Sequence, residues 1–201
     1  MWLILCIGLL GIIIWQWQTI RRLRTLVNHS DVNNQDQLTG LYHRQHLMAL
    51  AEHEINRAQR SNSKVSALLV DLDYCSKINH QYGHQAGDLA LRHVANAARS
   101  ATRDFDLIGR FSGEEIVLIL PNTDSAGAIV VAERLRAKVK QSAIPLENQL
   151  QLTVSVTIGV ATLQSETQTI DDLLLDADTA LQQAMQYGID RVHTFTLKAA
   201  A

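Results

Sequence analysis

The sequence predicts one α/β domain standing behind a single transmembrane helix, and three observations lead to that expectation. The amino terminus opens with an unbroken apolar stretch, from Met1 to Trp15, in which every residue is apolar or glycine. Beyond Asp36, short apolar strand-like runs alternate with segments of helical spacing, without low complexity or an internal repeat, as a sheet flanked by helices requires. The length of 201 residues suits one ordinary core plus an appendage.

Positions 1–20 are long enough to span the bilayer, since twenty helical residues at about 1.5 Å each cover its roughly 30 Å hydrocarbon core. Gln16, Gln18 and Thr19 then lie in the interface, with Trp15 and Trp17 at headgroup level. Arg21, Arg22 and Arg24 follow immediately. A cleavable signal carries its charges before the apolar run instead, so the anchor is preferred to a cleaved or buried segment. The positive-inside rule puts everything beyond it in the cytoplasm, giving a single-pass protein of the inner membrane.

Positions 21–35 form a juxtamembrane linker. Ile20, Leu23 and Val27 recur at three and four residues, enough for a short parallel helix pair and too few for a sustained coiled coil. The stretch 28–35 is rich in Asn and Asp and marks a joint, after which the domain occupies 36–201.

Within that domain, helical spacing predicts a helix over 46–60, with Leu47, Leu50 and Ile55 inward. The continuous apolar run 65–72 is a strand buried on both faces, and it ends in acid. A helix over 87–101 turns Leu89, Leu91 and Val94 inward. Strands 107–111 and 116–120 pair across Ser112, Gly113, Glu114 and Glu115, a hairpin with an acidic tip. Asn122, Thr123 or Asp124 caps a helix running to Gln141, with Ile129, Ala132, Leu135 and Val139 inward. A strand over 150–161, a helix over 171–187 capped by Thr169 or Asp171 and ended by Gly188, and a short strand over 191–195 complete the chain.

Composition removes several classes of function. Eighteen basic against twenty acidic side chains give a net charge of -2, which does not suit neutralising a long phosphate backbone, so no nucleic-acid partner is expected. Cys6 and Cys75 lack the spaced partners of a zinc site or disulfide framework and are read as small buried hydrophobes. The eight histidines show no ligand spacing either, and His84 is assigned to hydrogen bonding within its loop.

Asp71 and Asp73 stand where the buried strand emerges, and Glu114 and Glu115 stand at the hairpin tip. If the hairpin lies beside the strand, the four carboxylates gather. Crowded carboxylates repel unless a cation separates them, and hard oxygen ligands select magnesium or calcium. The alternative from spacing alone is a solvated acidic rim.

Asp36, Leu38, Thr39, Gly40, Leu41 and Arg44 resemble the DxLTGLxNR opening of the GGDEF-type diguanylate cyclase family. Asp71, Leu72, Asp73, Ile78, Asn79, Tyr82, Gly83, His84, Ala86, Gly87 and Asp88 resemble its DxDxFKxxNDxxGHxxGD segment in order and spacing. Arg110 and the SGEEI run from Ser112 to Ile116 occupy the place of its signature hairpin, and TVSVTIGV over 153–160 resembles its late strand. The resemblance covers 36–192, and several ordered motifs agreeing in spacing make it specific.

That resemblance implies the family's nucleotidyl cyclase, palm-like fold: a mostly antiparallel five-stranded sheet flanked by helices. It also implies a reaction, the condensation of two GTP into cyclic di-GMP by two domains facing each other as a homodimer. Asp71, the backbone carbonyl of Leu72 and Glu114 would hold two Mg2+ ions on each GTP, with Mn2+ able to replace them. Asn79 and Asp88 would read guanine, whose donor and acceptor edges suit an amide and a carboxylate. Glu114 and Glu115 carry the catalytic assignment, Glu115 orienting the hairpin or lowering the attacking hydroxyl's proton affinity. Arg103 and Asp106 form RxxD at the offset of the family's inhibitory product site, where cyclic di-GMP binds. As an isolated motif, RxxD reads instead as a surface ion pair at a helix end.

The departures from the family pattern open a second reading. Its phenylalanine and lysine after the strand are Cys75 and Ser76 here, the acid after the asparagine is His80, and the first signature glycine is Ser112. In the last helix region its aromatic is Gln182, and its lysine and arginine are Met185 and Ile189. Three phosphate-facing cations are thereby missing. Each charge-assisted bond is worth roughly 1.5 to 3 kcal/mol, so the loss of even one weakens turnover about ten- to a hundred-fold. The chain is therefore expected to be a weakened cyclase or, alternatively, a binding module for cyclic di-GMP or GTP that signals through the RxxD site.

Overall fold

The computed structural model describes residues 34–146, 150–164 and 168–196. The expected anchor over 1–20, and the linker up to residue 33, lie outside them. Among the described residues no helix is long and apolar enough to cross a membrane. The elements run β1 (Tyr42–His43), α1 (Arg44–Ser61), β2 (Val65–Leu72), α2 (Cys75–Tyr82), α3 (His84–Ala101), β3 (Leu107–Ser112) and β4 (Glu115–Pro121). They continue with α4 (Ser125–Gln141), β5 (Ile144–Pro145), β6 (Gln151–Leu152), β7 (Val156–Thr162), α5 (Ile170–Gln186) and β8 (Val192–Thr194).

The main sheet has six strands in the order β1-β3-β4-β2-β7-β8 and is mixed. Its four central strands pair antiparallel, while β1 joins β3 and β8 joins β7 in parallel. The expectation of five mostly antiparallel strands is corrected on the count. The additional strand is Tyr42–His43, and two residues are too few to show the alternation from which a strand is read.

Residue alternation along β2 explains the layers. Leu68, Val70 and Leu72 enter one apolar core with Ala90, Leu91, Val94, Leu135 and Val139, under α3 and α4. Val65, Ala67 and Leu69 enter a second core with Leu47, Ile55, Leu173 and Leu181, under α1 and α5. A strand covered on both faces has no polar side to present, hence its continuous apolar run. Gly159 of β7 lets α5 lie close, because a Cβ there would come within 2.1 Å of the Ala177 carbonyl oxygen.

The buried seam of α4 is Ala128, Ala132, Leu135 and Val139, so Ile129 sits one position off it at 36% exposure. Asp124 is the cap, its Oδ1 accepting the Gly127 N–H at 2.8 Å. Thr169 caps α5 through a reciprocal box with Asp172. The strand expected over 150–161 divides in two: Gln151–Leu152 pairs with Ile144–Pro145 in a separate hairpin, and Val156–Thr162 enters the main sheet. The helix Cys75–Tyr82 was not anticipated. It is short, and it starts after Tyr74 in a left-handed conformation (φ 58°), which gives it no ordinary capping signal.

Candidate nucleotide and metal site

Backbone register brings the acidic residues together. Asp71, in the last turn of pairing on β2, lies opposite Glu115 of β4 on one side and Thr157 of β7 on the other. The β3–β4 turn is Gly113 and Glu114, shorter than the four-residue connection expected, and a bulge between Arg110 and Ser112 absorbs the extra residue. Asp71 is half-buried, and its carboxyl is pushed up to about 7 by burial and then by the charges of Glu114, Glu115 and Asp73. A divalent cation between these groups would relieve that repulsion, so the donor chemistry fits one. No three His, Cys, Asp or Glu side chains among the described residues are already arranged as a metal cage. The expected set needs only two carboxylates and the Leu72 carbonyl.

Asp73 separates from this group. It is 5% exposed, and its oxygens accept the Ser155 hydroxyl at 2.5 Å, the Thr157 hydroxyl at 2.6 Å and the Asp190 N–H at 3.1 Å. With its acceptor positions occupied, Asp73 ties β2 to β7 and to the loop before β8. Asp190 itself pairs with Arg136 at 2.7 Å and Lys140 at 2.5 Å, extending the tie to α4.

Cys75 links the acidic residues to the expected base readers. Its buried thiol is pushed up by burial, then by the negative charges of Glu114 and Asp71. On its other side, Asn79 Nδ2 donates to Cys75 Sγ at 3.8 Å. Asn79 lies directly on the first turns of α3: a Cβ at Gly87 would fall 2.0 Å from Asn79 Oδ1. Asp88 follows Gly87 and is half-buried. The fold thus sets Asp71 opposite Glu115, puts Glu114 at the adjoining turn and joins Cys75 to Asn79, with Asp88 next to the glycine under Asn79. Reading Cys75 as a small buried hydrophobe accounted for its burial and missed these contacts, although its place between Asp71 and Asn79 was a signal. His84 is exposed and its ring makes no hydrogen bond among the described residues.

The hairpin is held at both arms. Arg110 donates to the Gly113 carbonyl through Nε at 3.0 Å and Nη2 at 2.7 Å, and pairs with Asp36 through Nη1 at 3.1 Å. The Ser112 hydroxyl donates to Glu115 Oε2. The Arg44 guanidinium lies 4.1 Å above the Phe111 ring. Asp36 accepts the Thr39 N–H at 2.8 Å and its hydroxyl at 2.7 Å, closing the turn that begins the domain.

The RxxD residues occupy a separate turn after α3. Asp106 Oδ2 accepts the Arg103 backbone N–H at 2.7 Å, and Asp106 N–H donates back to the Arg103 carbonyl at 3.1 Å. The pair is therefore a closed turn and not an ion pair: among the described residues the Arg103 guanidinium has no hydrogen-bond or carboxylate partner. Arg103 lines a cavity of about 470 Å3 with Arg134 and Lys138 of α4. Burial pushes the Asp106 carboxyl up against the opposing hydrogen bond and charges of Arg103 and Arg134. Arg134 and Lys138 lie about thirty residues away in sequence, in an ordinary basic helix face, and only packing brings them to Arg103.

The family profile described as "Diguanylate cyclase, GGDEF domain" matches residues 33–191, which include the whole of this site. The chain belongs to the GGDEF diguanylate cyclase family. This chain is 38% identical over 172 residues to the response regulator PleD of Caulobacter vibrioides, covering 85% of this chain and 38% of PleD. It is 35% identical over 145 residues to diguanylate cyclase A of Treponema denticola, covering 71% and 39%. This chain thus spans about two fifths of the length of these curated relatives. Among solved structures, the diguanylate cyclase SiaD, in complex with its activator SiaC from Pseudomonas aeruginosa, superposes with a TM-score of 0.80 at 31% identity, covering 89% of this chain and 68% of that one. The GGDEF domain of DgcB from Caulobacter crescentus in complex with c-di-GMP matches at 0.78 and 22% identity, over 81% and 93%, and shows the common fold.

Proposed function

We propose that this GGDEF domain condenses two GTP molecules into cyclic di-GMP, at a rate lowered by the basic residues it lacks. The observation that carries the reading is the pairing of Asp71 with Glu115 across β2 and β4, with Glu114 at the turn and the helix that carries Asn79 starting at Cys75, three residues after β2 ends. Metal-side and base-side residues then belong to one surface, as a nucleoside triphosphate requires.

In this reading Asn79 and Asp88 bind the guanine edge. Asp71, the Leu72 carbonyl and Glu114 hold divalent cations, Mg2+ in the first instance, which neutralise triphosphate charge and stabilise the departing pyrophosphate. Glu115, held by Ser112, orients the hairpin or draws the proton from the attacking hydroxyl. Each 3′-hydroxyl attacks the other nucleotide's α-phosphorus, so one phosphodiester bond forms and one phosphoanhydride bond breaks per attack. Two domains must face each other for this, and homodimerisation belongs to the proposal. So does attachment to the inner membrane through 1–20, with the domain on the cytoplasmic side where GTP is available. The deciding experiment incubates the full chain in detergent with GTP and magnesium: cyclic di-GMP is the expected product, absent without magnesium and absent with ATP. A folded protein that yields none under these conditions would overturn the cyclase reading.

A second reading is favoured by the free guanidinium of Arg103 beside the cavity it shares with Arg134 and Lys138. Here the domain binds cyclic di-GMP, as a feedback site or as the whole of its function. Arg103→Ala should then weaken cyclic di-GMP binding about ten-fold or more, the worth of a charge-assisted phosphate contact. Unchanged binding would reject this reading.

A further inference from the structure

We infer that Phe105, inside the RxxD turn, is a positioning residue for Arg103: its ring holds the guanidinium ready for a planar base or phosphate of cyclic di-GMP. The inference rests on the product-site reading and adds to it a residue that neither RxxD nor the cavity lining includes.

Phe105 is 54% exposed in a polar turn, where its ring has little packing to gain. The Arg103 guanidinium carbon lies 5.6 Å from the centre of that ring, within cation–π range. The turn enforces the approach. With Arg103 N–H bound to Asp106 Oδ2 at 2.7 Å and Asp106 N–H bound to the Arg103 carbonyl at 3.1 Å, the backbone on either side of Phe105 is pinned. The side chains at the first and third positions of the turn meet.

Asp106 holds the Arg103 backbone N–H through Oδ2, its Oδ1 is buried without a hydrogen-bond partner, and the group that lies against the guanidinium is the Phe105 ring. An exposed arginine loses considerable rotamer freedom when it binds a ligand, and a side chain already ordered on an aromatic face loses less. At 5.6 Å the ring attracts the guanidinium without covering it, which leaves the arginine's donors open to the ligand.

The test uses the full chain in detergent, with cyclic di-GMP titrated calorimetrically into the parent, Phe105→Leu and Phe105→Trp. Leucine keeps apolar bulk and removes the aromatic face, whereas tryptophan keeps the face. Affinity should fall roughly two- to five-fold for leucine, the size of an exposed cation–π contact, and return to the parent's value or better for tryptophan. In the ligand-free protein, the Arg103 side-chain Nε–H resonance should carry a ring-current shift that leucine removes. Parent-like affinity for Phe105→Leu, or a loss that tryptophan fails to restore, would overturn the inference while leaving the product site standing. A folded parent that binds no cyclic di-GMP would remove the product site itself, and this inference with it.

Discussion

Arg110 and Asp36 form an ion pair, Nη1 to Oδ2 at 3.1 Å, between the hairpin before the acidic turn and the residue that opens the domain. The same guanidinium holds the Gly113 carbonyl, so the position of Glu114 is coupled to the turn that Asp36 closes with Thr39.

The pair should be measurable as stability. Burial alone would push the Asp36 carboxyl up, but the hydrogen bonds from Thr39 and the charge of Arg110 hold it below the usual carboxylate range. Asp36→Asn should cost about 1.5 kcal/mol in urea unfolding near neutral pH, the lower end for a charge-assisted bond in a pair that is partly solvated. A group with a depressed folded pKa stabilises above its unfolded value and loses that contribution as pH falls through the folded value. The gap between parent and variant should therefore close in acid.

Asp71 should behave in the opposite sense. Its folded pKa of about 7 exceeds the ordinary 3.8, so its protonated form favours folding below the unfolded value, and stability is lost as pH rises from there through about 7. Without divalent metal, Asp71→Asn should melt above the parent at pH 8 and close to it at pH 4. Magnesium should raise the melting temperature of the parent at pH 8 by mass action and leave Asp71→Asn unmoved. A parent indifferent to magnesium would count against this metal site.

Turnover should separate retained from missing chemistry. Glu114→Gln and Asp71→Asn should abolish cyclic di-GMP formation followed by chromatography. Ser76→Lys with Ile189→Arg should raise it about ten- to a hundred-fold by restoring charge-assisted contacts to the triphosphate. Ser76 is exposed and accepts a lysine freely, while Ile189 is half-buried, so an arginine there must carry its guanidinium out to solvent.

Gly87→Ala tests the base-reading assignment. Its methyl group would displace Asn79 Oδ1, which lies 2.0 Å from the ideal Cβ position. Asn79 ends a flexible side chain, so the melting temperature should change little. GTP affinity should fall about ten-fold or more by calorimetry, as a half-buried polar readout is disrupted. Unaltered GTP affinity would argue that Asn79 does not touch the base.

Topology is tested in intact spheroplasts. Arg21, Arg22 and Arg24 after the apolar run predict that externally added protease leaves the domain uncut until lysis. Digestion without lysis would reverse the orientation.

Local chemistry made much of this protein legible in its sequence. The apolar run of β2, the acid at its end, the seam of Leu135 and Val139 and the ordered motifs from Asp36 to Gly87 each depend on side-chain periodicity or on spacing over a few residues. They pointed to the fold class, while the roles of Asp71, Asn79, Asp88, Arg103 and Glu114 came from the family resemblance. Tertiary structure decided the rest. It supplied the two-residue strand Tyr42–His43, whose pairing comes from β3 and not from its own pattern. It turned Asp73 from a site acid into a tie across β2, β7 and the Asp190 loop, and joined Cys75 to Asn79. It bound Asp106 Oδ2 to the Arg103 backbone N–H, left the guanidinium without a carboxylate partner among the described residues, and brought Arg134 to the same cavity. Propensity and periodicity act over one or two turns of chain, whereas which partner occupies a given carboxylate or guanidinium depends on groups that only packing brings within hydrogen-bond reach.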